Sequence, residues 1–417
     1  MVWLYNPGVT VNPWITLAVV ALTYFGIALG RWPILKSNRA TVALVGVGLL
    51  LVTGQLAYRD LPGLLDFDTL ILLFSMMILN ANLKLAGFFS LAGRLLLRWA
   101  RTPRLFLAVE ILLAGLLSAL FLNDTICLVF TPLVIETTLA LKRNPLPYLI
   151  ALATAANVGS VFTLTGNPQN MIIGIASGIP YLDFAAALLP AALFGLALVW
   201  LVITRLYRYE FRPGRFDPLE DDSPPLNRWM LAKTLLVTAG MLAAFLAGVP
   251  VALASFLAAC VLLVTRRTQP QTVFAEFDWG LLVFFSGLFI LSGVLETNGV
   301  TEILFRAFQV SPQMGIWPLS LSTAVLSNLV SNVPAVLLLR PVAAGLANPQ
   351  AGWLTLALAS TLAGNLTLLG SVANLIVAEI AARWRVEISF WEYTRAGALI
   401  TALTLVSGTL WLAWTVW

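Results

Sequence analysis

One polar motif is written twice in an otherwise apolar chain, about 205–210 residues apart. Ser118 to Leu133 reads SALFLNDTICLVFTPL, and Ser327 to Val342 reads SNLVSNVPAVLLLRPV. Without a gap, Ser118 pairs with Ser327, Asn123 with Asn332 and Pro132 with Pro341. A second pair follows each motif, TLTGNPQN from Thr163 and TLLGSVAN from Thr367, matching Thr163 with Thr367, Gly166 with Gly370 and Asn170 with Asn374. Asn, Gly, Ser and Pro inside apolar runs interrupt helices. Such breaks at matching places in two halves point to the solute site of a carrier.

The 417 residues are 60% hydrophobic and 10% charged, and the mean hydropathy is +0.92. So few charges cannot cover a soluble domain of this size, so the reading is a polytopic membrane protein. The net charge of +5 sits in short loops between apolar spans and is no nucleic-acid signal. Cys127 and Cys260 both lie in apolar segments, which excludes a disulfide scaffold or a Cys-rich metal site. With no histidine in the chain, proton handling falls to carboxylates. The start, MVWLYNPGVTVNPW, lacks the charged region and cleavage site of a signal peptide, so the first span is expected to be retained.

Apolar spans are expected near 14–30, 40–57, 68–86, 147–176 and 183–206, then 229–247, 249–265, 278–297, 353–381 and 394–416. Segments 104–141 and 313–347 are interrupted at Asn123–Thr125 and Ser331–Pro334. As plain double spans they would expose polar breaks to lipid; as re-entrant hairpins their tips are buried in protein. With the amino terminus outside, basic residues collect on the cytoplasmic side at Arg31/Lys36/Arg39, Arg94/Arg98/Arg101/Arg104, Lys142/Arg143, Arg205–Arg228, Arg266/Arg267 and Arg383/Arg385. About 21 of the 24 Lys and Arg then face inward, leaving Arg59, Arg306 and Arg340 outside.

The expected fold is therefore an all-α inverted repeat, each half with five spans and one hairpin and with broken helices at the midplane. The first repeat covers 1–206, a cytoplasmic linker 207–228 and the second repeat 229–417, with both termini outside and the chain in the cell (cytoplasmic) membrane. Segment 88–102 reads as an amphipathic interfacial helix, with 300–311 as its shorter counterpart. Trp411, Trp414 and Trp417 read as interface anchors.

A helix that restarts in mid-membrane exposes unpaired N–H groups, and one that stops exposes carbonyls. Pro168 and Pro334 suit first turns, and Asn167, Ser371 and Asn332 are natural caps. The candidate substrate or ion site is Asn123, Asp124, Thr125, Thr163, Gly166, Asn167, Asn170, Ser331, Asn332, Asn365, Thr367, Gly370, Ser371 and Asn374. Asn157 and Thr361 share these spans and are further lining candidates. Sodium could bind at Asn123, Asp124 and Asn332; no other metal site is expected. Gly159, Ser160 and Gly364 read as packing residues.

Asp124 is the sharpest single residue, because a carboxylate at a hairpin tip is costly to bury. It is the candidate for proton coupling, against the plainer reading of a helix cap; its counterpart is Val333. Other acids read as structural. Glu379 has Arg383 one turn on, while Glu110 and Glu136 have Arg104, Lys142 or Arg143 within reach. Asp183 and Glu392 start helices, and Arg340 reads as snorkelling.

LNDTICLVFTP, NVGSVFTLTGNPQN, SNLVSNVP and GNLTLLGSVANLIVAE resemble motifs of the ion transporter superfamily, in its arsenite-permease/anion-transporter branch. The last three are especially similar to the plant silicon efflux transporters and their bacterial relatives. The resemblance spans roughly residues 40–415. It implies a homodimer of scaffold and mobile parts, an elevator motion, and a site between Asn123–Thr125, Gly166–Asn170, Ser331–Pro334 and Gly370–Asn374. Dicarboxylate transporters of the superfamily carry Ser-Asn-Thr at each tip, unlike either tip here.

The expected function is proton-coupled export of a small inorganic oxyacid or anion such as arsenite, antimonite or silicic acid. The alternatives are a sodium-coupled carboxylate or sulfate symporter and a sodium/proton antiporter. No nucleophile with a base is in view, which argues against an enzyme. There is no phosphate-binding loop, so a proton or sodium gradient, or a separate ATPase partner, supplies the energy, and no cofactor is expected.

Overall fold

The computed structural model describes residues 11–29, 38–99, 101–212, 214, 216, 226–264, 269–307 and 315–417, without the side chains at 28, 29, 95, 97, 98, 304, 306 and 307. Arg31, Lys36, Arg266, Arg267, the side chains of Arg98 and Arg306, and half of the linker lie outside the described residues.

The helices of the first half are α1 (Pro13–Leu29), α2 (Arg39–Val52), α3 (Phe67–Ala86), α4 (Phe88–Trp99), α5 (Pro103–Leu120), α6 (Asn123–Ala140), α7 (Pro145–Ser160), α8 (Pro168–Ser177) and α9 (Tyr181–Leu206). The second half has α10 (Arg228–Leu246), α11 (Val251–Leu263), a short α12 (Pro270–Phe274), α13 (Trp279–Thr297), α14 (Val300–Ala307), α15 (Ile316–Val330), α16 (Asn332–Gly345), α17 (Pro349–Ala363), α18 (Val372–Arg383) and α19 (Phe390–Thr415). Apart from α12, the second half repeats the element order of the first. The protein is an all-helical, multi-pass membrane protein: α3, α5, α9, α10, α13 and α19 are long and apolar enough to cross a bilayer.

Local chemistry sets these boundaries. Thr102, Asn144, Asn167 and Asn348 each cap a helix whose next residue is proline, which lacks the N–H that would go unpaired there. Gly87 and Gly178 close α3 and α8 in the left-handed region, at φ 82° and 64°. The span expected over 40–57 stops at Val52, with Gly54 at φ 72° turning the chain away. Helices α4 and α14 are amphipathic, as expected of 88–102 and 300–311.

Packing crosses between the halves. Helix α2 packs on α13 and α11 on α3, while α9 lies against α19. Helix α7 packs between the hairpin arms α5 and α6, and α17 between α15 and α16. After each break the chain reaches into the other half: α8 touches α16 and α17, and α18 touches α6 and α7. Helices α7 and α17 are buried on nearly every side, which explains why both are apolar all round and rich in alanine. At Gly159 a Cβ would stand 2.2 Å from the Gly115 Cα, so these two glycines let α5 and α7 touch backbone to backbone.

Candidate functional site

The interruptions fall slightly away from where the sequence puts them. Hairpin 1 (α5–α6) breaks at Phe121 and Leu122, so Asn123, Asp124 and Thr125 form the first turn of α6 rather than the break. Hairpin 2 (α15–α16) breaks at Ser331 alone. Ser331, not Asn332, holds the cap position, with φ 85° and ψ 159°, a backbone region nearly reserved for glycine. Leu122 occupies the cap position of α6 and no side chain caps that helix, so Asp124 is not a cap. The two broken helices separate over residues 161–167 and 364–371, longer gaps than the Gly-Asn-Pro and Gly-Ser steps suggest.

The tip of hairpin 1 is pinned to the first break, with the Asn123 amide N–H donating to the Gly166 carbonyl at 3.0 Å. From there a chain of buried amides crosses between the halves. Asn157 Oδ1 accepts from Asn123 Nδ2 at 3.0 Å and from the Ser371 hydroxyl at 3.2 Å. Asn157 Nδ2 donates to Asn365 Oδ1 at 2.8 Å and to Asn374 Oδ1 at 3.1 Å. Both donors and both acceptor positions of the Asn157 amide are thereby used. The repeat produces a mirror of this link: Asn167 Nδ2 reaches the Thr361 hydroxyl at 3.3 Å, just as Ser371 reaches Asn157.

Asn170 and Asn374 hold the breaks in shape. Asn170 Nδ2 donates to the carbonyls of Ser160, Val161 and Thr163, and Asn374 Nδ2 to those of Gly364 and Thr367. A stopped helix leaves carbonyls unpaired, and one amide satisfies several at once. Asn170, fully buried, is thus a staple of the loop. Asn167 caps α8 by accepting from the Asn170 N–H at 2.9 Å. The Thr163 hydroxyl donates to the Ala119 carbonyl, tying the first break to α5. Thr367 is half-buried and gives its carbonyl to the second break. A Cβ on Gly166 would stand 2.5 Å from the Ser160 carbonyl oxygen, and one on Gly370 would stand 2.8 Å from that of Gly364.

Asn332 is 8% exposed, and its amide nitrogen lies 3.0 Å from where a Cβ on Gly364 would be. The two tips therefore meet the same broken-helix cluster, and neither tip asparagine faces lipid. Among the described residues, Asn123 Oδ1 and Asn332 Oδ1 are buried without a hydrogen-bond partner, as are the paired hydroxyls of Ser118 and Ser327. Unpaired buried acceptors at symmetric positions are what a bound polar solute or cation would satisfy. Thr125 leaves this cluster and accepts from Asn80 Nδ2 of α3 at 3.2 Å. Asp124 is half-buried at its edge, within electrostatic reach of Arg39 of α2 and of Asp278, the cap of α13.

Asn80 and Asn328 were not among the sequence candidates. Asn328 Nδ2 donates to the Ala324 and Ala363 carbonyls while its Oδ1 faces Gly370. The signal for both was an asparagine inside an apolar helix. Two expectations about charges are corrected. Arg340 pairs with Glu296 at 3.2 Å instead of snorkelling, because α13 ends beside α16. Glu110 is fully buried with both carboxyl oxygens unpartnered among the described residues; Arg104 is engaged with the Phe211 carbonyl and Arg143 with Glu210. The charge of Glu379 also acts through space on Arg39 of α2.

Comparison with known proteins agrees with this architecture. The citrate transporter (CitMHS) family profile matches residues 24–363. The silicon efflux transporter LSI3 of Oryza sativa subsp. japonica is 32% identical over 90% of this chain and 92% of its own length. A Dictyostelium discoideum transporter named arsB is 25% identical over 96% and 92%. The crystal structure of the Alcanivorax borkumensis YdaH transporter aligns with a TM-score of 0.59 at 17% identity, covering 96% of each chain, which supports the fold. With the match covering most of its length, this chain belongs to the citrate transporter family and is a membrane-embedded secondary transporter, not an enzyme.

Proposed function

We propose that the chain exports a small inorganic oxyacid or its anion, such as arsenite, antimonite or silicic acid, in exchange for protons. The observation that carries this reading is the buried Asn123–Asn157–Asn365/Asn374–Ser371 cluster, built from amides and hydroxyls, with the acid Asp124 next to Asn123. Such a lining suits a compact, hydroxylated and weakly charged solute. A fully ionised polycarboxylate would call for cationic partners. Names given to relatives, a silicon efflux transporter and arsB, point the same way. The proposed site residues are the sequence candidates above together with Asn157, with Asn170, Asn374 and Thr163 as its framework and Asp124 as the proton carrier.

In this reading 1–206 and 229–417 are the two inverted repeats, joined by a cytoplasmic linker at 207–228, with both termini outside. The hairpins and broken helices form the moving part of an elevator, carried by a homodimeric scaffold in the cytoplasmic membrane. Sodium coupling is the second reading, favoured by the unpartnered Oδ1 atoms of Asn123 and Asn332, which are acceptors only. The family's citrate name keeps a carboxylate solute within that reading.

The test is transport in proteoliposomes under imposed proton or sodium gradients, with arsenite, silicic acid, sulfate and citrate offered in turn. Proton-driven movement of the first two, lost in Asp124→Asn, is the expected result. Sodium dependence without any effect of a pH gradient overturns it, as does full proton-driven transport by Asp124→Asn.

A further inference from the structure

Glu110 sits midway along α5, fully buried, and among the described residues neither carboxyl oxygen has a hydrogen-bond partner. It lies apart from the tip cluster, and its repeat counterpart is Leu319, so the repeat does not require an acid there. An ionised carboxylate in such surroundings costs several kcal/mol without a partner, so the site holds the neutral acid far better than the anion. Among the charged side chains described on elements packed against α5, Arg94, Asp124, Glu136, Asp183 and Arg205 give it no hydrogen bond.

One route leads away from it. Tyr148 of α7 packs on Phe106, one helical turn from Glu110, and stands within electrostatic reach of Glu110, Glu210 and Arg143. The Tyr148 hydroxyl donates to Glu210 Oε1 at 3.3 Å, and Arg143 stands 3.9 Å from the same oxygen. Glu210 belongs to the start of the linker, which is clamped over the base of hairpin 1. Arg104 Nε donates to the Phe211 carbonyl, the Phe216 N–H donates to the Arg101 carbonyl, and the Arg143 guanidinium lies over the Phe216 ring. Phe211 is fully buried, edge-on to Tyr148 at 5.4 Å, and Tyr148 is edge-on to Phe106 at 5.1 Å, one helical turn from Glu110.

We propose that Glu110 is a second proton-binding site of this transporter, filled from the linker side through Tyr148 and Glu210 and shut by the docked Phe211. A hydronium ion from the aqueous phase first protonates the Glu210 carboxylate and leaves water. The Tyr148 hydroxyl turns from Glu210 towards Glu110, takes the Glu210 proton on its oxygen and releases its own proton to the Glu110 carboxylate. Tyr148 is neutral before and after, Glu210 regains its charge, and Glu110 ends as the neutral acid. The ligand is the proton itself, and the site needs no solute in the tip cluster.

The test is infrared difference spectroscopy of the full-length protein in lipid, following the carbonyl stretch of protonated carboxylic acids near neutral pH. Such a band is expected in wild type and in Asp124→Asn, and it disappears in the near-isosteric Glu110→Gln. A spectrum unchanged by Glu110→Gln overturns the proposal. Two variants that keep Glu110 give an independent readout, the rate at which the band shifts in heavy water. Phe211→Ala is expected to speed that exchange about tenfold and Tyr148→Phe to slow it about tenfold, the scale of one hydrogen bond in a transfer barrier. No change of rate in either variant refutes the route. Because the spectrum is read without solute, failure of proton-driven export with the band intact would sink the proposed function and leave this site standing.

Discussion

Replacing Asn157 with leucine removes the side chain that hydrogen-bonds both the tip of hairpin 1 and the broken helix of the other half. Four hydrogen bonds vanish, to Asn123, Ser371, Asn365 and Asn374, at a position 1% exposed. At about 0.6 kcal/mol per side-chain bond inside a membrane protein, the loss is about 2.4 kcal/mol. If two of the abandoned partners then stay unpaired, at about 1 kcal/mol each, the total approaches about 4 kcal/mol. Leucine keeps the branching of asparagine and leaves no cavity, while its larger methyl groups add crowding at this buried position, so the figure is a lower bound. Reversible unfolding of the purified protein in mixed micelles should therefore register a loss of at least about 2–4 kcal/mol. Because any core substitution can destabilise, the decisive measurement is a double-mutant cycle with Asn365→Leu. The second substitution removes a group the first has orphaned, so the pair should be less harmful than the sum by about 1 kcal/mol. Strict additivity would mean that no amide bridge joins the halves, and the site as described would fail.

Three further outcomes are expected. Ser331→Gly should raise stability by about 1 kcal/mol, since glycine relieves the φ of 85° at a modest entropic cost, while Ser331→Ala should not; thermal unfolding compares them. Gly159→Val should cost more than about 3 kcal/mol and sharply lower the yield of folded protein, because its Cβ meets the Gly115 backbone at 2.2 Å; size-exclusion profiles report this. Burial raises the Glu210 carboxyl above its ordinary range, against the opposing pull of Arg143, the Asn144 N–H and Tyr148. The docked linker therefore favours the neutral form: its contribution is full below the ordinary glutamate pKa and declines as pH rises through the raised value. Limited proteolysis of the linker should quicken over that pH interval in wild type and show no such step in Glu210→Gln.

The repeated motif was legible because two halves of similar chemistry must be written in similar residues. The pairs Asn123/Asn332 and Gly166/Gly370 announced the breaks, and proline after Thr102, Asn144, Asn167 and Asn348 announced the helix starts. These signals are local: a missing N–H or an asparagine in an apolar run acts on its own turn of helix. The sequence by itself thus determined a doubled, all-helical membrane fold and the neighbourhood of its polar centre. Which polar residue does what was decided by tertiary structure alone. Asn157 became the hub and Asn170 a staple because α18 packs on α6 and α7, and α8 on α16 and α17, bringing breaks about 200 residues apart within hydrogen-bond distance. Arg340 found Glu296, and Glu110 lost every expected base, for the same reason. Hydrogen bonds act over about 3 Å in space, and no spacing along the chain encodes which helices will be neighbours.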